Sequence, residues 1–285
     1  MAKGSQFWGS ASGKLGEQVL YRAGGEQRAR AYIKNIKNPK TIAQMRNRIV
    51  MGNLVAVFDA LRPIIRNSFT NRATNQSGWN AFVKANKNAN TPIIDPAFNG
   101  TGISVPYDMQ ISKGNISVPS VTKYLSGQSP FYGIPFAFPT SEAEYEGMGP
   151  LSKSNYLDML GVLGLPSETK ITIVIAMFAD EGFEIKSATA DADSLSELSS
   201  LGLNFEIRSV SPNLYLQLSN DNPERMVAAI FSYTDANGKL QVSTSRITLA
   251  SANMQYVEDY LPGGGIYERV LEKAVATSAD VLATK

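Results

Sequence analysis

The chain has 285 residues, 43% apolar and 18% charged, with a net charge of only +2. This is the composition of a globular protein, long enough for two domains or for one with an appendage. Cysteine and histidine are both absent, which excludes disulfides, thiolate nucleophiles, Cys- or imidazole-ligated metals and every Ser-His-Asp arrangement. Enzymes built on carboxylates or Lys alone are left as a minority reading. The small net charge hides an asymmetry. Residues 1–90 carry fifteen Lys and Arg against Glu17, Glu26 and Asp59, or +12, and the remainder of the chain is −10. That imbalance suggests a polyanion or an acidic partner for the basic part, the acidic part of another copy included.

In chain order, Gln6–Ser12 is expected as a short strand holding Phe7 and Trp8, with Ser12-Gly13 as a turn. Residues 17–22 and 27–33 flank Ala23-Gly24-Gly25-Glu26, a hairpin signal. Period two places Arg28, Arg30 and Tyr32 on one face of the second strand, with Ala29, Ala31 and Ile33 on the other. Guanidiniums beside an aromatic suit a phosphate backbone with stacked bases, and a solvated strand face equally well. Residues 34–40 form a basic extended linker containing Lys34, Lys37 and Lys40, because Pro39 disfavours helix before it. Thr41 with Gln44 makes a capping box, and Ile42, Met45, Ile49, Val50, Leu54, Val57, Phe58 and Leu61 recur at helical spacing. Pro63 ends or kinks this helix. A second helix over residues 77–86 adds Trp79, Phe82 and Val83 to a small core.

Three of these segments, Gly13-Lys-Leu-Gly16, Val19-Leu-Tyr-Arg22 and Lys37-Asn-Pro-Lys-Thr-Ile-Ala-Gln44, resemble the hairpin and helix start of an uncharacterised domain family. Its members occur in gut Bacteroidetes and their phages, including crAss-like phages. Shorter likenesses at residues 111–116, 160–165 and 242–245 extend the resemblance over most of the chain. It implies an architecture and a phage or mobile-element setting, and no catalytic residues.

The remainder is rich in strands. Residues 103–118 hold short alternating runs around Lys113-Gly114, expected as a hairpin entering a sheet. Residues 124–149, dense in Pro, aromatics and glutamates, are expected as a long ordered loop able to dock on a basic surface or to cap a sheet end. Ser152 or Ser154 caps a short helix. Strands are then expected over 170–179, 183–190, 203–209, 214–218, 226–233 and 240–249, with a polar loop and short helix over 187–200. Alternation in Ile171, Ile173 and Ile175 against Thr172, Val174 and Ala176 marks a strand buried on both sides. Residues 251–260 and 266–282 are expected as helices.

Motifs for chemistry are weak. Gly263-Gly-Gly265 lacks the Lys-Ser/Thr of a phosphate loop, and Asp191-Ala-Asp193 and Asp235-Ala-Asn237-Gly238 lack the twelfth-position Glu of a calcium loop. No catalytic residue, metal or cofactor is expected. The expected fold is α+β, mainly β. A basic hairpin-plus-helices head (1–90) precedes an antiparallel, immunoglobulin-like β-sandwich body (91–250, with loop 124–150 inserted) and a C-terminal helical segment (251–285). The expected function is that of a non-enzymatic phage or mobile-element structural or assembly protein, present in several copies in a head, neck or tail. Arg22, Arg28, Arg30, Tyr32, Lys34, Lys37, Lys40, Arg46 and Arg48 would meet DNA, RNA or an acidic protein surface. The rival readings are a nucleic-acid-binding protein for replication or packaging, and a carbohydrate- or surface-binding sandwich using the 124–139 aromatics. Partners are then other copies or virion proteins. With no apolar run long enough for a bilayer and no signal-like start, a membrane is not expected, and the protein belongs in a virion assembled in the bacterial host cytoplasm.

Overall fold

The computed structural model describes residues 12–23, 25–34, 41–98, 101–124, 131–136, 149–179, 182–202, 205–210, 213–220, 225–248 and 254–283. The chain divides into two compact units, Met1–Thr41 and Ile42–Lys285. The division falls after Thr41, where residue 90 was expected, and the second unit runs through residue 250 without a break. Side chains from the helices of residues 42–86 and from those after residue 254 join the strands between them in one apolar cluster. The expected strand at Gln6–Ser12 and most of the 34–40 linker and 124–149 loop lie outside the described residues; the described middle of that loop, Phe131–Phe136, is instead a strand, because it finds partners on both sides in Thr122–Tyr124 and Asn213–Asn220.

The first unit is a three-stranded antiparallel meander, β1 (Gly13–Leu15), β2 (Gln18–Ala23) and β3 (Glu26–Ala31). Two-residue loops join the strands, and Gly16 and Gly25 supply the positive φ, +59° and +82°, that such tight hairpins need. The β2–β3 hairpin is the expected one. Gly13 was expected in a turn and instead opens β1.

The second unit begins with α1 (Ile42–Ala60), α2 (Arg62–Ser68) and α3 (Gly78–Asn86). Pro63 occupies the first turn of α2, where its missing N–H costs nothing, so a new helix starts at the expected stop. Ser77 caps α3, its Oγ accepting from Asn80 N. Next come β4 (Ile103–Ser104), β5 (Gln110–Ser112), β6 (Thr122–Tyr124), β7 (Phe131–Phe136), β8 (Gly149–Pro150) and α4 (Lys153–Val162). A Ser152–Asn155 capping box starts α4. The chain continues through β9 (Lys170–Ala179), β10 (Gly182–Ala190), a 3-10 helix at Leu195–Leu201, β11 (Glu206–Val210), β12 (Asn213–Asn220) and β13 (Arg225–Thr234). It closes with β14 (Leu240–Val242), β15 (Ser245–Arg246), α5 (Gln255–Glu258) and α6 (Gly265–Ala283).

These strands form two five-stranded antiparallel sheets, in orders β14-β13-β9-β10-β4 and β6-β7-β12-β11-β8, and a two-stranded β15-β5 piece. The hairpins β9–β10, β11–β12 and β13–β14 alternate between the two large sheets. Central strands β9 and β13 are buried on both faces, as the isoleucine alternation implies. Val174, Ala176, Met226, Ala228 and Ile230 meet the helices in the first cluster. On the opposite face Ile171, Ile173, Ile175, Val227, Ala229 and Phe231 pack with Phe136, Ile207, Leu214, Leu216 and Tyr156 of the second sheet and α4. The unit is therefore layered: helices, central sheet, second sheet. The class is α+β, but among the described residues helix and strand take nearly equal shares, where a mainly β chain was expected.

Local pairing departs from expectation in the 103–118 stretch. Gln110–Ser112 does not fold back on residues 116–118; it pairs with Ser245–Arg246, while Ile116 bridges in parallel to Ser243. Residues 240–249 consequently split into β14 and β15 instead of forming one long strand.

Candidate functional site

The candidate surface is built on the small sheet of residues 13–31. The register pairs Val19 with Arg30, Tyr21 with Arg28 and Ala23 with Glu26 across β2–β3, and Lys14 with Val19 across β1–β2. Directly opposed residues share a face, and the period of two repeats it. One face therefore carries Lys14, Val19, Tyr21, Arg28 and Arg30. Tyr32, whose N–H donates to Glu17 O at 2.6 Å, extends it by one further pair. The two carboxylates of this face, Glu17 and Glu26, lie at opposite ends of β2, so the cations occupy its middle. Lys14 Nζ lies 3.9 Å from the Tyr32 ring centroid, a cation–π contact that holds a mobile ammonium over the aromatic. Arg28 Nη2 is 3.6 Å from Glu26 Oε2, with both side chains more than a third exposed, and such an ion pair is weak and easily exchanged for another anion.

The expected grouping of Arg28, Arg30 and Tyr32 is found. Arg22 is exposed and pairs with Gln27, so it points to the other face. That face carries Leu15, Leu20, Ala29, Ala31 and Ile33, with Leu15 and Ile33 50% and 64% exposed. Lys34 follows the sheet and is exposed; Lys37 and Lys40 lie outside the described residues.

Arg46 and Arg48 belong to the second unit and are not part of this face. Arg46 Nη2 donates to Ala89 O at 2.9 Å, and its guanidinium carbon lies 5.8 Å from the Tyr267 ring centroid, a packing role between α1, the residue 89 loop and α6. Arg48 is exposed on α1, its Nη1 4.0 Å from Met45 Sδ. Lys14 and Tyr21 were missed as members of the face. Counting alternate residues back through both tight turns finds them.

Among the described residues no group of three or more acidic side chains is arranged to hold a metal ion, and no helix is long and apolar enough to cross a membrane. No family model, curated protein sequence or solved structure matches the chain.

Proposed function

We propose that this chain is a non-enzymatic binding and assembly protein whose amino-terminal sheet engages a polyanion, DNA or RNA foremost, through the Lys14–Arg28–Arg30–Tyr32 face. One observation carries the reading: three cations and Tyr21 are gathered in the middle of one face, with Tyr32 at its end, on a sheet that forms a compact unit of its own. Arginine and lysine neutralise phosphates in any sequence, and tyrosine rings stack on any base, so such a face binds nucleic acid without sequence preference. The chain's resemblance to a phage-associated family supports a setting in a virion, in several copies, as a component of a head, neck or tail. In that setting the two large sheets would act as an immunoglobulin-like sandwich acts, as protein–protein surface.

The test is fluorescence anisotropy of labelled single- and double-stranded oligonucleotides over a salt series. Binding should be strong at about 50 mM salt and fall linearly in log–log form, with a slope of about 0.7–0.9 for each phosphate contacted. No binding at that salt concentration excludes nucleic acid and leaves an acidic protein surface as the partner of the same face.

A further inference from the structure

The hairpin loop between β13 and β14 is set up for a reaction that needs only water. Asn237-Gly238 forms its tip, and both residues are exposed. When glycine follows an asparagine, the next backbone nitrogen reaches the side-chain amide most easily, because no Cβ stands in the way. Asp235 organises the loop around this pair. Asp235 N donates to Lys239 O and Gly238 N to Asp235 O, each at 2.9 Å, and Gly238 takes a φ of +73°. This is the three-residue loop in which a type I turn is followed by a left-handed glycine. The Asp235 carboxylate ties it together from inside: Oδ1 accepts from Asn237 N and Lys239 N, both at 2.9 Å, and Oδ2 accepts from Gln241 Nε2 at 2.8 Å.

We propose that Asn237 is a site of self-modification, converting through a cyclic imide to aspartate and isoaspartate, and that Asp235 is the brake on this conversion. In the reaction Gly238 N gives up its proton to a solvent base and bonds to Asn237 Cγ, while the Cγ–Nδ2 bond breaks and Nδ2 departs as ammonia. Water then opens the imide. Hydrolysis of the new Cγ–N bond leaves aspartate, and hydrolysis of the original peptide C–N bond leaves isoaspartate. Neither step consumes an oxidant, a reductant or a second substrate.

The turn opposes each requirement of ring closure. Closure needs Gly238 N eclipsed with Asn237 Cβ about the Cα–C bond. At the third position of a type I turn ψ is about 0°, which holds that nitrogen about a third of a turn away. The Gly238 N–H is also engaged by Asp235 O, so the proton that must leave is hydrogen-bonded. The carboxylate, bonded to the amides on either side of Gly238 N, disfavours the negative charge that develops on that nitrogen. Reaction therefore waits for the loop to open, and an exposed hairpin tip opens locally at far lower cost than the sheet beneath it. Isoaspartate inserts one extra main-chain carbon between the paired residues Thr234 and Leu240, so conversion loosens β14, the edge strand of the central sheet. This site is separate from the basic sheet and does not depend on what that sheet binds.

The experiment incubates the full chain in mildly alkaline buffer beside a synthetic peptide of residues 232–241, and follows the tryptic peptide of residues 226–239 by chromatography and mass spectrometry. Asn99-Gly100, the other such pair in the chain, lies outside the described residues and is read on its own peptide. Asn237 of the native chain should convert roughly tenfold more slowly than the free peptide, because several hydrogen bonds must break first. Asp235→Ala removes the carboxylate from an exposed turn and should approach the peptide's rate. Asp235→Asn keeps an acceptor without the charge and should fall between the two. The proposal is overturned by a native chain that converts as fast as the peptide, by one that shows no conversion after the peptide has passed many half-lives, or by an Asp235→Ala variant that keeps the native rate.

Discussion

Asn53 and Asn86 show what single residues do in this fold. Both sit on buried helix faces, where asparagine is a poor helix former, and both act as partners for backbone that has no strand beside it. Asn53 Nδ2 donates to Pro92 O and Val105 O, and its Oδ1 accepts from Val105 N. An Asn53→Ala change strands these groups in the core at ~1–3 kcal/mol for each left unpaired, and the urea midpoint should fall accordingly. An unchanged midpoint would show that water replaces the amide. Gly114 acts through space instead: a Cβ there would lie 2.0 Å from Val242 O. Gly114→Ala should therefore cost about 1–3 kcal/mol in the same measurement, as overpacking does.

Asp235 gives a pH dependence. Its carboxylate accepts from Lys239 N, from the Gln241 side chain and from Asn237 N, and these bonds, the Lys239 amide first, hold its pKa below the ordinary value. A depressed folded pKa stabilises the β13–β14 turn above the ordinary carboxylate pKa, and that contribution is lost as the pH falls through the lowered one. Stability measured downward from about pH 4 should fall more steeply in the native chain than in Asp235→Asn. The roles of Asn53 and Asn86 were not legible in the amino-acid order, because periodicity reports apolar positions. Asn53 leaves only the faint mark of a polar residue among Val50, Leu54 and Val57.

At the scale of elements, legibility followed burial. β9, β13, α3 and α4 lie close to their expected spans because each combines a long apolar pattern with a local stop or cap, Ser77 and Ser152 among them. Short elements whose partners are distant in sequence were misread. β5 pairs with β15 across more than 130 residues, and nothing local favours that partner over the nearer residues 116–118. The basic face was half legible: one strand's alternation gives Arg28, Arg30 and Tyr32, but Lys14 joins them only through a register fixed at two turns. The break after Thr41 was hidden because α1, though sequence-adjacent to the basic sheet, spends its apolar stripe on α3, α6 and the β4–β10 edge of the central sheet. Both apolar clusters lie wholly within Ile42–Lys285. Deleting residues 1–41 should therefore leave the urea unfolding of the remainder cooperative, with its midpoint unchanged. A broad, early transition would show that the first unit contributes to the second unit's stability.

At the scale of the molecule, the charge division is sharper than the overall +2 suggests. Residues 1–41 hold eight Lys and Arg against two glutamates, leaving Ile42–Lys285 net acidic at −4. Opposite charges on separate units favour contacts between copies that salt weakens. Light scattering should report a larger mass at low salt than at high salt. A single mass at every salt concentration would remove self-assembly from the account.

The central claim is that one face of the small sheet, rather than basic charge in general, meets a polyanion. Comparing Lys14→Ala/Arg28→Ala/Arg30→Ala with Arg22→Ala, which alters the opposite face, in oligonucleotide anisotropy over a salt series tests it most directly. The triple variant should lose most of its affinity and flatten the salt slope by about 2–3, while Arg22→Ala stays close to the native chain. Equal losses per charge in both variants, or a triple variant that still binds with the native slope, would contradict it.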